Sequence, residues 1–202
     1  VTGGNPIMES NSSPSKRSLT RRALFGLMAA AVVTPAMAAE HSSMVFMRQF
    51  ARDMLKAHRQ GTVSSFKTAI QRYADVATIA DYSLGQYKAK LPNGQRQRYY
   101  GGVTTFMARY FADQSREYRI AKYELGSAAV DGDDILINSK VYLVTGQTYT
   151  VVWRVSPRKG SYKVTDTKVL GFSLVYMQRG LFTSYISKRG GDVGQLVAVL
   201  NR

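Results

Sequence analysis

Apolar residues recur at helical spacing through the first half of the chain and at alternate positions through much of the second. Val45, Phe46, Phe50, Met54 and Leu55 predict a first helix running to about Ala57, stopped by Gly61. Ser64 or Ser65 is placed to cap a second helix carrying Phe66, Ile70 and Tyr73, and Asp75 to cap a short third one through Ile79 and Ala80. Leu84-Gly85-Gln86-Tyr87 turns the chain. After Pro92-Asn93-Gly94 the longest helix is predicted from Gln95 to about Tyr118. Its apolar face reads Tyr99, Val103, Phe106 and Tyr110, with Met107 and Phe111 alongside. Gly101-Gly102 inside that helix costs about 1 kcal/mol per glycine relative to alanine. The pair reads either as a place where another backbone or a ligand comes close, or as a tolerated kink.

Beyond Tyr118 the period changes to two. Ile120 to Val130 is a predicted strand, Asp131 to Asp134 a turn, and Ile135, Ile137, Val141 and Leu143 alternate with Asn138 and Lys140 on a second strand. Gly146-Gln147 suits a hairpin. The returning strand places Tyr149, Val151, Trp153 and Val155 on one face, and after Pro157 to Gly160 a fourth strand runs from Tyr162 to Leu170. Leu174, Val175, Met177, Leu181, Phe182 and Ile186 restore a helical stripe, which Gly190-Gly191 breaks. Asp192 with Gln195 caps a last helix ending near Leu200. Helices, a meander of about four antiparallel strands, then helices again predict an α+β fold with helices covering one face of the sheet.

The first 38 residues read as an address. A polar segment ends in Lys16, Arg17, Arg21 and Arg22; an apolar run follows from Ala23 to Val33, and Ala36-Met37-Ala38 is an A-x-A cleavage site. The run is shorter than the roughly 20 residues a bilayer requires. Residues 1–38 are therefore expected to be a signal peptide cut after Ala38, leaving 39–202 as one exported domain. Met8 is a plausible true start. Thr20-Arg21-Arg22-Ala23-Leu24-Phe25 resembles a twin-arginine motif with its aromatic and leucine in reversed order; an ordinary secretory leader with two arginines is the other reading.

The formal net charge is +15, from 28 basic and 13 acidic residues. Removing the leader takes four of the former and one of the latter and leaves +12, so the basic excess belongs to the domain. In a periplasm the anions to meet are lipid headgroups and membrane surfaces, not nucleic acid. The chain has no cysteine, which removes thiol catalysis, Cys-type zinc sites and iron–sulfur clusters, and its two histidines, His41 and His58, leave little for a metal site. His58 is expected to be solvated on the first helix. No cofactor is expected.

Several stretches resemble one family. Gly171-Phe172-Ser173-Leu174-Val175-Tyr176-Met177-Gln178-Arg179-Gly180-Leu181-Phe182 resembles the MlaC (toluene-tolerance) signature G-[hydrophobic]-S-L-V-N-N-Y-R-S-Q-F. Trp153-Arg154-Val155 followed by Tyr162-Lys163-Val164-Thr165-Asp166 resembles that family's Y-R-hydrophobic strand and W-K-V-Y-D. Gly190, Asp192 and Leu196 resemble its closing G-x-D-x-L-[IV]-x-x-L pattern, with Leu196 two residues beyond the first leucine, and Leu84-Gly85-Gln86-Tyr87, Gln95-Arg96 and Tyr110 resemble its L-G-x-[YW]…Q-R…Y. Tyr176, Met177 and Gln178 depart from the usual Asn-Asn-Tyr, and Tyr162 stands where tryptophan is common. The resemblance implies a fold similar to nuclear-transport-factor-2-like domains, with a lipid cavity between sheet and helices. It also implies a phospholipid shuttle between an outer-membrane lipoprotein–porin complex and an inner-membrane ABC transporter bearing an MCE-domain ring.

A soluble lipid carrier requires an apolar cavity and no catalytic group. Thirteen tyrosines and eight phenylalanines supply walls with rings inside and hydroxyls at a wet mouth. The expected lipid-contacting residues are Phe106 and Tyr110 on the long helix and Val141, Leu143, Val151 and Trp153 on the strands. Phe172, Leu174 and Phe182 follow around the last long helix. Arg179, Lys168 and Arg154 are candidates for a phosphate or for docking. Three other readings stand beside this one. An enzyme of similar fold would pair Asp166 with a tyrosine. A hopanoid-associated carrier would take a different lipid. A structural envelope protein would bind a partner and no lipid.

Overall fold

A computed structural model describes residues 35–202. The expected leader lies outside the described residues except for Pro35–Ala38, which fall in the first helix. The chain forms α1 (Pro35–Gln60), α2 (Val63–Tyr73), α3 (Val76–Ser83), α4 (Arg96–Glu117), β1 (Ile120–Asp131), β2 (Asp134–Leu143), β3 (Thr148–Arg158), β4 (Ser161–Val169), β5 (Phe172–Ser173), α5 (Leu174–Ser187) and α6 (Val193–Leu200). Two short 3-10 turns, Gly85–Lys90 and Asn93–Gln95, lead into α4. The strands pair in sequence order, each antiparallel to the next, as a five-stranded meander. Among the described residues no helix is long and apolar enough to cross a membrane.

Two details differ from the sequence-based expectation. The cap of α2 is Thr62, not Ser64 or Ser65: its hydroxyl accepts the Ser65 N–H at 3.2 Å, while Ser65 Oγ donates back to the carbonyls of Thr62 and Ala57. Ser65 therefore sits three residues into the helix and braces the α1–α2 turn. The second difference is a fifth strand. Leu170 (φ 52°) and Gly171 (φ 86°) both take left-handed backbone, which folds Phe172–Ser173 back beside Lys168 and Val169. A left-handed leucine is strained, because its Cβ crowds the backbone, and a local pattern does not announce it.

The other caps follow the expected chemistry. Asp75 accepts the Thr78 N–H at 3.0 Å and also the Arg158 Nε–H at 2.8 Å, tying the start of α3 to the end of β3. Ser173 accepts the Tyr176 N–H at 3.0 Å to start α5. Asp192 accepts the Gly194 N–H at 2.8 Å, with Gln195 Nε2 reaching back to its other oxygen at 3.2 Å.

The apolar residues pack as three separate clusters. Tyr99 and Val103 of α4 meet Phe182 and Ile186 of α5 and Leu196, Val197 and Leu200 of α6. Met47 and Phe50 of α1 meet Ile135, Ile137, Val155 and Val164 on the sheet. Ala57 of α1, Phe66, Ala69 and Ile70 of α2 and Ala108 and Ala112 of α4 form the third. Alanine at the α2–α4 contact lets the two helices approach closely.

The glycine pair in α4 splits into two roles. A Cβ at Gly102 would stand 2.8 Å from Leu200 Cβ and 2.8 Å from Asn201 Nδ2, so this glycine admits the end of α6. A Cβ at Gly101 would meet nothing within 4 Å. Gly102→Ala is therefore expected to destabilise the domain by about 1–3 kcal/mol through overpacking. Gly101→Ala should instead stabilise it by roughly 0.5–1 kcal/mol through backbone entropy. Denaturant unfolding of the two variants, compared at equal m-value, checks the opposite signs.

Candidate functional site

The register of the strands sets the floor of the site. Ile137 pairs with Trp153, Ser139 with Val151 and Val141 with Tyr149 across β2–β3; Trp153 pairs with Thr167 and Val151 with Val169 across β3–β4. Directly paired residues share a face, so these side chains form one apolar surface beneath the helices. Phe50, Met54 and His58, spaced four apart on α1, face it from above, with Phe106, Tyr110 and Phe111 of α4 and Leu174, Met177 and Leu181 of α5.

The helices do not settle onto the floor. Between them lies a cavity of about 410 Å³ against β2–β4. It adjoins a smaller one of about 130 Å³ under α5. The two share Phe50, Met54, Tyr110, Phe111, Trp153, Thr167 and Leu174 as walls. The larger falls within the usual range of roughly 300–1,000 Å³ for small-ligand sites. Rings hold the walls apart. Phe50 meets Trp153 edge-on with centroids 4.9 Å apart and Tyr73 at 5.4 Å. Phe106 leans on Phe182 at 5.1 Å.

Several polar atoms at this wall are satisfied by the protein. Trp153 Nε1–H donates to Ser139 Oγ at 2.9 Å, and that hydroxyl donates to the Val151 carbonyl at 3.1 Å. Gln178 Nε2–H donates to Ser83 Oγ at 2.7 Å, and Ser83 to the Ile79 carbonyl at 2.7 Å. Among the residues lining the two cavities Asp166 is the single carboxylate, and its Oδ1 accepts the N–H groups of Thr167 at 2.7 Å and Val175 at 3.3 Å. That bonding braces the start of α5 and leaves Asp166 poorly placed for the acid–base role weighed above. Among the described residues no three His, Cys, Asp or Glu side chains gather as a metal site.

Seven of the nine residues expected to contact lipid line the cavities: Phe106, Tyr110, Val141, Leu143, Val151, Trp153 and Leu174. Phe172 does not. It lies 69% exposed on β5, because the Leu170–Gly171 reversal turns it outward. Phe182 does not either; it is buried in the α4–α5–α6 cluster and supports Phe106 from behind.

The three basic candidates also lie off the lining. Arg154 is clamped by Asp134 at 2.9 Å and Asp131 at 2.8 Å across the β1–β2 turn, which holds its guanidinium more firmly protonated still. Arg179 stacks over the Tyr82 ring at 4.8 Å. Lys168 lies opposite Ser173 on the β4–β5 pair. Sequence reading passed over Phe50, Met54, Tyr149, Val169, Met177 and Leu181 as wall residues, although the four-residue spacing on α1 was available to find the first two.

His58 is not simply solvated. It is half-buried in the wall of the larger cavity, and its Nε2 accepts the Ile120 N–H at 3.0 Å, fastening the first residue of β1 to α1. Burial, then the neighbouring Arg59 charge, hold the imidazole below its ordinary 6.5.

A helix-covered antiparallel sheet bordering an apolar hollow, its one carboxylate held by backbone N–H groups, defines an α+β ligand-cavity protein of nuclear-transport-factor-2-like architecture. The family model described as MlaC protein matches residues 42–202. The chain therefore belongs to the MlaC family. A phospholipid-binding protein from Ralstonia solanacearum, solved in complex with a phospholipid, has a similar fold, with 23% identity, a TM-score of 0.64, and coverage of 79% of this chain and 94% of that one. No curated protein matches this chain.

Because the folded imidazole binds its proton less readily than the unfolded one, stability attributable to His58 is full above pH 6.5 and is lost as pH falls toward the folded-state value. Relative to His58→Gln, which keeps an acceptor for Ile120, the wild type should lose stability on acidification below pH 6.5. Thermal melts of both proteins across that range check the difference, and parallel curves would refute it.

Proposed function

We propose that this protein is a periplasmic phospholipid-binding shuttle that carries lipid between the two membranes and catalyses no reaction. One observation carries the reading: the covered sheet face borders about 410 Å³ of mostly apolar space, and the indole N–H and the hydroxyl at its floor, Trp153 and Ser139, are bonded within the protein. Such a space favours a hydrocarbon, since each methylene removed from water contributes about 0.8 kcal/mol. Membership of the MlaC family and the phospholipid seated in the Ralstonia protein of similar fold support the same cargo.

In this reading Val141, Leu143, Val151 and Trp153 form the floor under the acyl chains, and Phe106, Tyr110 and Leu174 the roof. The leader is removed after Ala38 on export. The docking partners are an outer-membrane lipoprotein–porin complex at one end of the journey and an inner-membrane MCE-domain ABC transporter at the other, and the basic domain steers toward acidic faces on them. Lys168 and Arg179 serve docking, while Arg154 serves the β1–β2 turn.

The test is extraction of the purified protein with organic solvent followed by mass spectrometry of the lipid. Wild-type protein should release phospholipid in near-stoichiometric amount. Val151→Trp, which places an indole in the larger cavity, should lose most of that lipid while keeping a cooperative melt, because the added ring occupies space rather than replacing packed neighbours. Wild-type protein that folds, melts cooperatively and releases no phospholipid would overturn the reading.

A further inference from the structure

On the side of α5 the cavity ends at apolar side chains. Leu170, Met177 and Leu181 line its walls and are at the same time 58%, 52% and 62% exposed. Beside them in sequence stand Phe172 and Tyr176, 69% and 67% exposed, which are not among the residues lining the cavity. Five large apolar side chains thus face solvent within the twelve residues Leu170 to Leu181, on the β4–β5 reversal and the first half of α5. Soluble proteins keep such patches small, and a contiguous one marks a contact surface. Two of the five, Tyr176 and Met177, stand where the family pattern quoted above carries asparagines, while Phe172 keeps that pattern's hydrophobic position.

The charge around the patch selects the partner. From Thr167 to Gly191 the chain carries Lys168, Arg179, Lys188 and Arg189 and no Asp or Glu. Lys168 pairs with Ser173 next to Phe172, and Arg179 lies one helical turn beyond Tyr176. Aromatic and aliphatic side chains among cations, with one nearby carboxylate, Asp166, tied to the Thr167 and Val175 N–H groups, match the headgroup level of an anionic bilayer: the rings reach the acyl boundary and the cations meet phosphates. The left-handed backbone at Leu170 and Gly171 holds this lip outward from the sheet.

We propose that the lip formed by Leu170, Phe172, Tyr176, Met177 and Leu181 docks directly on an anionic phospholipid bilayer, so that lipid passes between membrane and cavity across an apolar surface without crossing water. The inference rests on the shuttle reading above and adds a protein-independent membrane contact to it. Because Leu170, Met177 and Leu181 belong to the wall, an acyl chain sliding over them stays in apolar contact throughout. A protein partner seated on the same patch would supply no such path unless it carried its own lipid groove.

The test is co-flotation of the purified domain with protein-free vesicles of phosphatidylethanolamine and phosphatidylglycerol, against vesicles of phosphatidylcholine alone. Wild-type protein should float with the anionic vesicles and bind the neutral ones weakly. The double variant Phe172→Ser, Tyr176→Asn changes two exposed side chains outside the cavity. It should bind anionic vesicles about tenfold more weakly, with its melting temperature and its co-purified phospholipid unchanged. Equal binding by variant and wild type, or no binding of wild type to either vesicle, overturns the proposal. So does binding confined to native membrane vesicles and abolished by prior protease treatment, which assigns the lip to a membrane protein instead. Absence of co-purified lipid from wild type would overturn the shuttle reading itself, whatever the vesicles show.

Discussion

A hollow kept open beneath a β-sheet is the constraint that organises this molecule. Protein interiors close up because an unfilled void forfeits contacts on every side. Sealed and dry, a space of 410 Å³ would cost on the order of 10 kcal/mol, comparable with the whole stability of a typical domain. The fold meets this by moving its packed cores to the periphery. α4 is held by α5 and α6 on one side and by α2 on the other, and α1 is anchored at the far end of the sheet through Met47 and Phe50. The α4–α5–α6 cluster stands clear of the cavity lining, while Phe50, Phe66, Ile70 and Val164 of the other two clusters also serve as cavity walls. The helices are supported at their ends and flanks, and the sheet face between the supports is left uncovered by protein.

Rings and hydrogen bonds then keep the span from sagging. Flat, stiff side chains such as Trp153, Phe50 and Tyr73 resist collapse better than aliphatic ones, which would change rotamer and fill the gap. Four polar side chains at the wall are paired internally: Trp153 with Ser139, Gln178 with Ser83, Asp166 with the backbone at the start of α5, and His58 with the start of β1. Among the described residues no deeply buried side-chain nitrogen or oxygen lacks a partner. A wall so largely apolar makes little directional demand on its guest. It recognises hydrocarbon by exclusion of water, which suits a carrier that must also let go.

The helical stripes of α1, α4 and α5 and the alternation along β1 to β4 were readable because each reports a single buried face, and face is what periodicity encodes. The floor of the site was readable for the same reason: Val141, Leu143, Val151 and Trp153 follow once two neighbouring strands are in register. The places that were not readable are those decided by distant partners or by backbone rather than by period. Arg154 finds its two aspartates across a hairpin, twenty and twenty-three residues away. His58 finds its donor sixty-two residues on. Phe172 and Phe182 both look like wall residues in a linear pattern. A left-handed leucine sends one to solvent, and the helix-side cluster claims the other. A ring in the core and a ring at a cavity wall have the same signature in sequence, so the boundary between cluster and hollow was the least legible feature of the site.

Affinity sets the last condition. Burying one acyl chain of about sixteen carbons contributes roughly 10 kcal/mol or more. Two such chains fully buried would pass the practical limit of about 18–21 kcal/mol for non-covalent binding. A closed cavity deep enough for both would be a trap, because dissociation would have to expose the same hydrocarbon to water on the way out. Here the wall residues Leu170, Met177 and Leu181 are themselves half in solvent, so the cavity grades into the surface instead of ending at a barrier. Part of the cargo then stays in contact with the outer edge of the fold. The free energy left to overcome on release is set by how much apolar surface that edge meets when it touches another phase, and the same lip that lowers the binding depth lowers the barrier to transfer.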